Sequence, residues 1–133
     1  MKELKVSFRG GVKVDVAFKG HLIRTDQPVS DGGEGSAPAP FDLFLASLAA
    51  CAGYYLLAFC QARSLATQGA GLTMSYERNP QTKLVDRIEI TLQLPPDFPE
   101  RYTPAVIKAV DACTVKAHLL HPPAFHIVAR KTE

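Results

Sequence analysis

The chain has 133 residues, a net charge of +2 and 47% hydrophobic residues, which is typical of one domain with its own core. The charge is small and dispersed, so we expect no nucleic-acid partner. Three cysteines are too few for a disulfide framework, and the first residues lack the apolar core of a secretory signal. We therefore expect a cytoplasmic protein.

Three strands are predicted at the start of the chain. Apolar and polar residues alternate over residues 4–8 and again over residues 12–18, with Gly10 and Gly11 between them, and this pattern predicts a β-hairpin. Residues 21–25 form a third short strand in this interpretation. A long loop rich in glycine and proline then covers residues 27–39.

A long helix is predicted from Pro40 to about Thr67. Proline suits the first helical position, and Asp42 places negative charge in the first turn. Residues 43–60 contain no charged side chain, which is close to the length of a membrane span. Gly53 and Tyr54 lie near the middle of this stretch, whereas interfacial tyrosines belong at the ends of a span. We therefore predict a buried central helix and no membrane partner.

The second half of the chain predicts another hairpin and a helical segment. Residues 72–76 and 88–94 alternate between apolar and polar, and a turn is expected near Asn79. Val106, Val110 and Cys113 begin one apolar helical stripe, which is predicted to break around Cys113. A last strand is expected over residues 125–130. This order indicates a single α+β domain, residues 1–133, with antiparallel sheets packed on a long buried helix.

Cys51 and Cys113 are the candidates for chemistry, because each lies on an apolar helical pattern. Cys60 follows Cys51 by nine residues, or about 900° of helix, so the two occupy opposite faces. We expect Cys60 to be a small buried hydrophobe. Burial in the core is also an alternative for the other two cysteines. Cys113 precedes Thr114, a candidate N-cap, and a thiolate gains stability near a helix N-terminus.

A nucleophilic thiol needs a nearby cation, and two arginines are candidates. Arg9 ends the first strand and Arg24 precedes the long loop, although either is also consistent with a solvated surface residue. Cys113, His118 and His121 have a spacing that offers a metal three ligands, but no fourth lies close in the sequence. We therefore expect neither a metal nor another cofactor.

Four segments together carry a resemblance to a known family. They are Asp26-Gln-Pro, the Gly32-Gly33 loop, the run from Pro40 to Leu-Ala-Ala-Cys51, and Ala112-Cys-Thr-Val-Lys-Ala-His-Leu. In combination they resemble the OsmC/Ohr family of thiol peroxidases over nearly the whole chain.

The resemblance implies the OsmC-like fold in an intertwined homodimer that reduces organic hydroperoxides, with hydrogen peroxide as a second candidate substrate. Cys51 would attack the peroxide and Cys113 would resolve the product as a disulfide. Arg9 would activate the thiolate, with Arg24 as the fallback, and an external dithiol would restore both thiols.

One position departs from the Ohr branch of this family. In that branch a glutamate early in the helix pairs with the arginine, and this chain has Phe41 at that position. The nearest acid, Asp42, lies about 100° further around the helix. Asp42 is therefore a supporting candidate only. The alternative function is a non-catalytic dimer that binds a small apolar ligand at its interface, in a pocket lined by Phe41, Phe44, Tyr54 and Tyr55.

Overall fold

Five strands and three helices follow one another in the computed structural model, which describes residues 1–132. They are β1 (Lys5–Gly10), β2 (Lys13–Phe18), β3 (His21–Thr25), α1 (Pro40–Ala62), β4 (Gly71–Arg78), β5 (Val85–Gln93), α2 (Thr103–Asp111) and α3 (Thr114–Leu120). This α+β organisation confirms the predicted fold class. The chain divides into two compact units, and the boundary between Ser47 and Leu48 falls within α1.

The first unit contains an antiparallel sheet in the order β1-β2-β3, as predicted. Gly10 and Gly11 both have positive φ in the first turn, and Lys19 and Gly20 do so in the second. Such turns match the twist of the strands that they connect. Because the turns set the register, Asp15 in β2 lies opposite Ser7 on one side and Arg24 on the other.

The loop that follows β3 is built around a buried carboxylate, Asp26. Its oxygens accept hydrogen bonds from the backbone N–H groups of Gln27, Glu34 and Ser36 and, at 2.6 Å, from the Ser36 hydroxyl. The hydrogen bond from the Ser36 hydroxyl lowers the pKa of Asp26, whereas burial raises it. The backbone hydrogen bonds lower this pKa further, and the net result is a pKa far below its ordinary value. Gly33 is required here, because a Cβ at this position would lie 1.9 Å from the Gln27 carbonyl oxygen.

Helix α1 begins at the predicted residue but ends earlier than predicted. At its start, Asp42 accepts the Ala39 backbone N–H at 2.9 Å, which caps the helix. It ends at Ala62 rather than near Thr67, because Ser64 adopts a left-handed conformation (φ 52°). The Leu65 N–H then bonds back to the Cys60 carbonyl, and this closes the last turn.

The second unit has a core in which α1 packs against α2. Cys60 and Val106 are both 0% exposed, and they are joined by Ala52, Leu56, Phe59 and Val110. This confirms that Cys60 is a buried hydrophobe. The length and apolar composition of α1 would also suit a membrane span. Since one face of α1 supplies these core side chains, we interpret it as the core helix of a soluble domain.

The burial of α1 is incomplete within one chain. Tyr54 is 61% exposed and Leu57 is also exposed, so the expectation of burial on most sides is not met by a single copy. The predicted strand at residues 125–130 is also wrong for the single chain, since residues 122–132 contain no regular element. A strand needs a neighbouring edge for its hydrogen bonds, and here Phe125 and Ile127 are instead almost fully exposed.

Candidate active site

The second unit brings Cys51 and Cys113 into direct contact. Cys51 lies on α1, and Cys113 is the N-cap residue of α3, directly after the break that follows α2. Both cysteines are free thiols, and their sulfur atoms are hydrogen bonded to each other. The predicted helical break at Cys113 is therefore confirmed, although the capping position belongs to Cys113 itself and not to Thr114.

The surroundings of Cys51 favour its thiolate. Burial alone raises the pKa of the Cys51 thiol. Its sulfur accepts hydrogen bonds from the Cys113 thiol and from the backbone N–H groups of Val115 and Thr114. Together these bonds outweigh the effect of burial, so the pKa of Cys51 lies below its ordinary value. Because these N–H groups open the first turn of α3, the helix start supplies oriented donors to the sulfur.

The surroundings of Cys113 have the opposite effect. Burial raises the pKa of the Cys113 thiol, and its hydrogen bond to Cys51 raises it further, against weaker opposition from the backbone N–H groups of Lys116 and Val115. When the pKa values of two neighbouring groups are separated in this way, the group with the lower pKa can act as the nucleophile or base and the other group as the acid. This separation favours Cys51 as the nucleophile and Cys113 as the proton donor, and both roles stay predictions.

Tyr55 holds the start of α3 against α1. It follows Cys51 by one helical turn and so shares its face, and its hydroxyl lies 2.7 Å from the Thr114 Oγ1. His118 Nδ1 lies 2.8 Å from the Thr114 carbonyl oxygen. Sequence reasoning missed this arrangement, because backbone donors and a tyrosine tether leave no distinctive residue pattern. The only signal was the predicted helix start beside Cys113.

An open apolar groove of about 1080 Å³ lies beside the thiol pair within the second unit. Cys113 forms part of its wall, and the apolar lining includes Ala52, Ile90, Leu92, Ile107, Val110 and Leu119. The groove is therefore suited to an apolar molecule that reaches Cys113.

The four aromatic residues predicted to line a ligand pocket do not line this groove. Tyr54 packs edge-on against Tyr55 at a ring separation of 5.5 Å. In the first unit, Phe41 packs against Phe44 at 5.3 Å. An interface pocket built from these four residues stays a prediction.

The arginine candidates both lie in the first unit. Arg9 Nε donates to Asp15 Oδ2 at 3.0 Å, whereas the Arg24 side chain has no hydrogen bond or ion pair within residues 1–132. Asp42 is engaged in capping α1. The action of either arginine on Cys51 stays a prediction. No group of three His, Cys, Asp or Glu side chains in the described part of the chain is arranged to hold a metal ion.

Comparison with known proteins agrees with this α+β fold. A sequence model described as OsmC-like protein matches residues 33–128, which is more than half of the chain. No curated protein matches the sequence. The chain belongs to the OsmC/Ohr family.

Solved structures share its fold at low identity. A protein from Psychrobacter arcticus 273-4, named as an osmotic stress induced and detoxification response protein, is 22% identical, with 92% of this chain and 90% of that chain covered and a TM-score of 0.75. The organic hydroperoxide resistance protein OsmC from Legionella pneumophila is 18% identical, with 90% of each chain covered and a TM-score of 0.56.

An organic hydroperoxide resistance protein from Vibrio cholerae, with captopril bound in one of its active sites, is 20% identical. The alignment covers 89% of this chain and 85% of that chain, with a TM-score of 0.54. At these identities the structures establish the shared fold.

Proposed function

We propose that this protein is a cytoplasmic, thiol-dependent peroxidase that reduces organic hydroperoxides. The observation that carries the proposal is the hydrogen bond between the Cys51 and Cys113 sulfur atoms, together with the opposite shifts of their two pKa values. A thiolate is the reactive form of cysteine, and a thiol beside it is placed to form a disulfide. The hydroperoxide resistance names of the Legionella and Vibrio proteins are consistent with this function.

The reaction proceeds in three balanced steps. The Cys51 thiolate attacks the terminal peroxide oxygen and the O–O bond breaks, so that the hydroxyl group stays on Cys51 as a sulfenic acid. The alkoxide takes up the proton that the Cys51 thiol released on ionisation and leaves as the alcohol. The Cys113 sulfur then attacks the Cys51 sulfur, a disulfide forms and water leaves. An external dithiol supplies two electrons and two protons, returns both cysteines to thiols and becomes a disulfide itself.

Arg9 is the cation that we propose for the thiolate, and Arg24 is the fallback. The ion pair between Arg9 and Asp15 supports this choice, because it fixes the guanidinium while Arg24 has no such restraint within residues 1–132. A fixed cation stabilises an anion more effectively than a mobile one, since no ordering is needed at the moment of reaction.

A homodimer is part of the same proposal. Exposed apolar side chains support it, because a second copy would remove their apolar area from water. Phe8 in β1 is 83% exposed, Tyr54 on α1 is 61% exposed, and Ile127 near the C-terminus is 92% exposed. A second copy that covers these side chains would also complete the burial of α1.

The experiment compares the consumption of cumene hydroperoxide by the wild type and by Cys51→Ser, with a dithiol reductant. We expect the wild type to turn over and Cys51→Ser to be inactive. Cys60→Ala is the matched control, since Cys60 lies in the core and away from the thiol pair, and it should keep the wild-type rate. Equal rates in the wild type and Cys51→Ser would contradict the proposal.

The apolar groove favours a second candidate, a non-catalytic dimer that binds a small apolar ligand. Its volume of about 1080 Å³ is at the upper end for ligand sites. This candidate predicts saturable binding of an apolar fluorescent probe without peroxide turnover. It also predicts a Cys51 pKa near the ordinary value of about 8.5, whereas a peroxidase needs a lower one. Thiol titration therefore separates the two functions.

A further inference from the structure

Arg9 is held by a carboxylate on the neighbouring strand. Its Nε donates to Asp15 Oδ2 at 3.0 Å. Asp15 lies opposite Ser7 in the β1–β2 ladder, and Arg9 is two residues further along β1, a diagonal separation that a long side chain spans. The register of β1 shifts between Phe8 and Gly10, and an irregularity of this kind re-aims the side chain between them.

The two partners differ in burial, and the difference shows which of them is fixed. Asp15 is 4% exposed, whereas the Arg9 side chain is 36% exposed. A buried carboxylate that loses its partner is strongly unfavourable, so Asp15 restrains the arginine from within the sheet. The bond uses Nε, and the two Nη groups of Arg9 have no partner within residues 1–132. They remain available as donors to an anion.

Two alternative pairings, of Arg9 with Asp42 and of Arg24 with Asp15, do not occur among residues 1–132. The Asp42 carboxylate caps α1 through the Ala39 N–H. Arg24 faces Asp15 across the β2–β3 ladder but makes no ion pair with it in the described chain. Asp15 Oδ1 is buried without a hydrogen-bond partner among residues 1–132, so the carboxylate has a second acceptor for the guanidinium.

We propose that Asp15 is the positioning residue for Arg9, taking in this chain the part that a helix glutamate takes in the Ohr branch. The inference rests on the proposed function, because Arg9 needs positioning only if it acts on the thiolate or the peroxide. Asp15 itself touches neither and acts through Arg9. Phe41, at the position of the glutamate, is then compatible with activity, since the acid is supplied from β2.

The test is the pKa of Cys51, measured from the pH dependence of its alkylation by iodoacetamide and read on the Cys51 peptide by mass spectrometry. If the Asp15 carboxylate acted only through its negative charge, it would raise the pKa of Cys51, and Asp15→Asn would then lower that pKa. A positioning role predicts the opposite, since Arg9 is released. We expect a rise of about one unit, which makes alkylation about tenfold slower at pH values below the pKa.

Two further variants identify the route of the effect. Asp31→Asn, an exposed acid in the same unit, is the matched control and should leave alkylation unchanged. Asp15→Asn should have no additional effect in an Arg9→Ala background, because a residue that acts through Arg9 has nothing to position there. An equal loss in both backgrounds would overturn the inference.

Arg9→Lys provides the test if Asp15→Asn fails to fold. The ammonium of lysine is a compact point charge, so it cannot pair with Asp15 and also extend the planar fork of Nη donors that the guanidinium offers to an anion. We therefore expect about tenfold slower alkylation in Arg9→Lys, and the wild-type rate would overturn the inference.

The outcomes also separate this inference from the proposed function. Slower alkylation in Arg9→Ala with a wild-type rate in Asp15→Asn would overturn only the role of Asp15. An unchanged rate in Arg9→Ala would overturn the roles of both residues. Peroxide consumption by the wild type, measured independently of alkylation, decides the peroxidase function itself.

Discussion

Replacement of Cys113 by two different residues tests the hydrogen bond that carries the proposed function. Cys113→Ala removes the donor to Cys51, whereas Cys113→Ser keeps a donor of similar size. A hydrogen bond to a charged group contributes about 1.5–3 kcal/mol, and a thiol is a weak donor, so the lower end applies. Since one pKa unit corresponds to about 1.4 kcal/mol, the pKa of Cys51 should be about one unit higher in Cys113→Ala than in Cys113→Ser.

The assay is a pH titration of thiolate absorbance in the ultraviolet. Both variants carry Cys60→Ala, so that Cys51 is the only thiol in each. The Val115 and Thr114 backbone donors are present in both, and the comparison isolates the one donor that differs. The same Cys51 pKa in Cys113→Ala and Cys113→Ser would refute the reasoning, because the side-chain bond would then contribute nothing to the thiolate.

Three stability predictions concern positions outside the thiol pair. Gly33→Ala should destabilise the fold by about 2 kcal/mol or more, because its Cβ would collide with the Gln27 carbonyl. Gly53→Ala should stabilise α1 by up to about 1 kcal/mol, since its Cβ would have ordinary clearance, with Leu72 as its nearest neighbour at 4.0 Å. Because the pKa of Asp26 is lower in the folded than in the unfolded protein, its carboxylate stabilises the fold. We expect this stabilisation to be complete above about pH 4 and to be lost as the pH falls towards the lowered pKa.

Urea unfolding measures all of these effects. The Gly33 and Gly53 variants form a matched pair, and equal destabilisation by both would contradict the steric argument. For Asp26→Asn, the loss of stability relative to the wild type should be largest near neutral pH and should shrink below about pH 4. A difference that is constant over the acidic range would show that the lowered pKa of Asp26 has no part in folding.

Both hairpins and the start of α1 were accessible from the sequence, because each depends on local patterns. Alternating apolar residues located both hairpins, and Pro40 located the start of α1. The end of α1 was misplaced because Ser64 takes the left-handed conformation, which helix ends usually reserve for glycine. The last strand was misplaced because residues 125–130 alternate like a strand but have no edge to pair with in the described chain.

The site was only partly accessible from the sequence. Each cysteine alone was compatible with a core position, and their roles came from a family resemblance. The hydrogen bonds that distinguish Cys51 from Cys113 come mainly from each other and from backbone N–H groups, which no residue type reveals. The Arg9–Asp15 pair was also missed, since it depends on strand register and on the bulge beside Gly10.

A mild pulse of organic hydroperoxide, followed by thiol blocking and mass spectrometry, tests the central claim most directly. The sulfur atoms of Cys51 and Cys113 are hydrogen bonded, so we expect a single disulfide that links these two residues, with Cys60 recovered as a blocked thiol. A stable sulfenic acid on Cys51 without a disulfide, or a protein that returns fully reduced while the peroxide persists, would contradict the account.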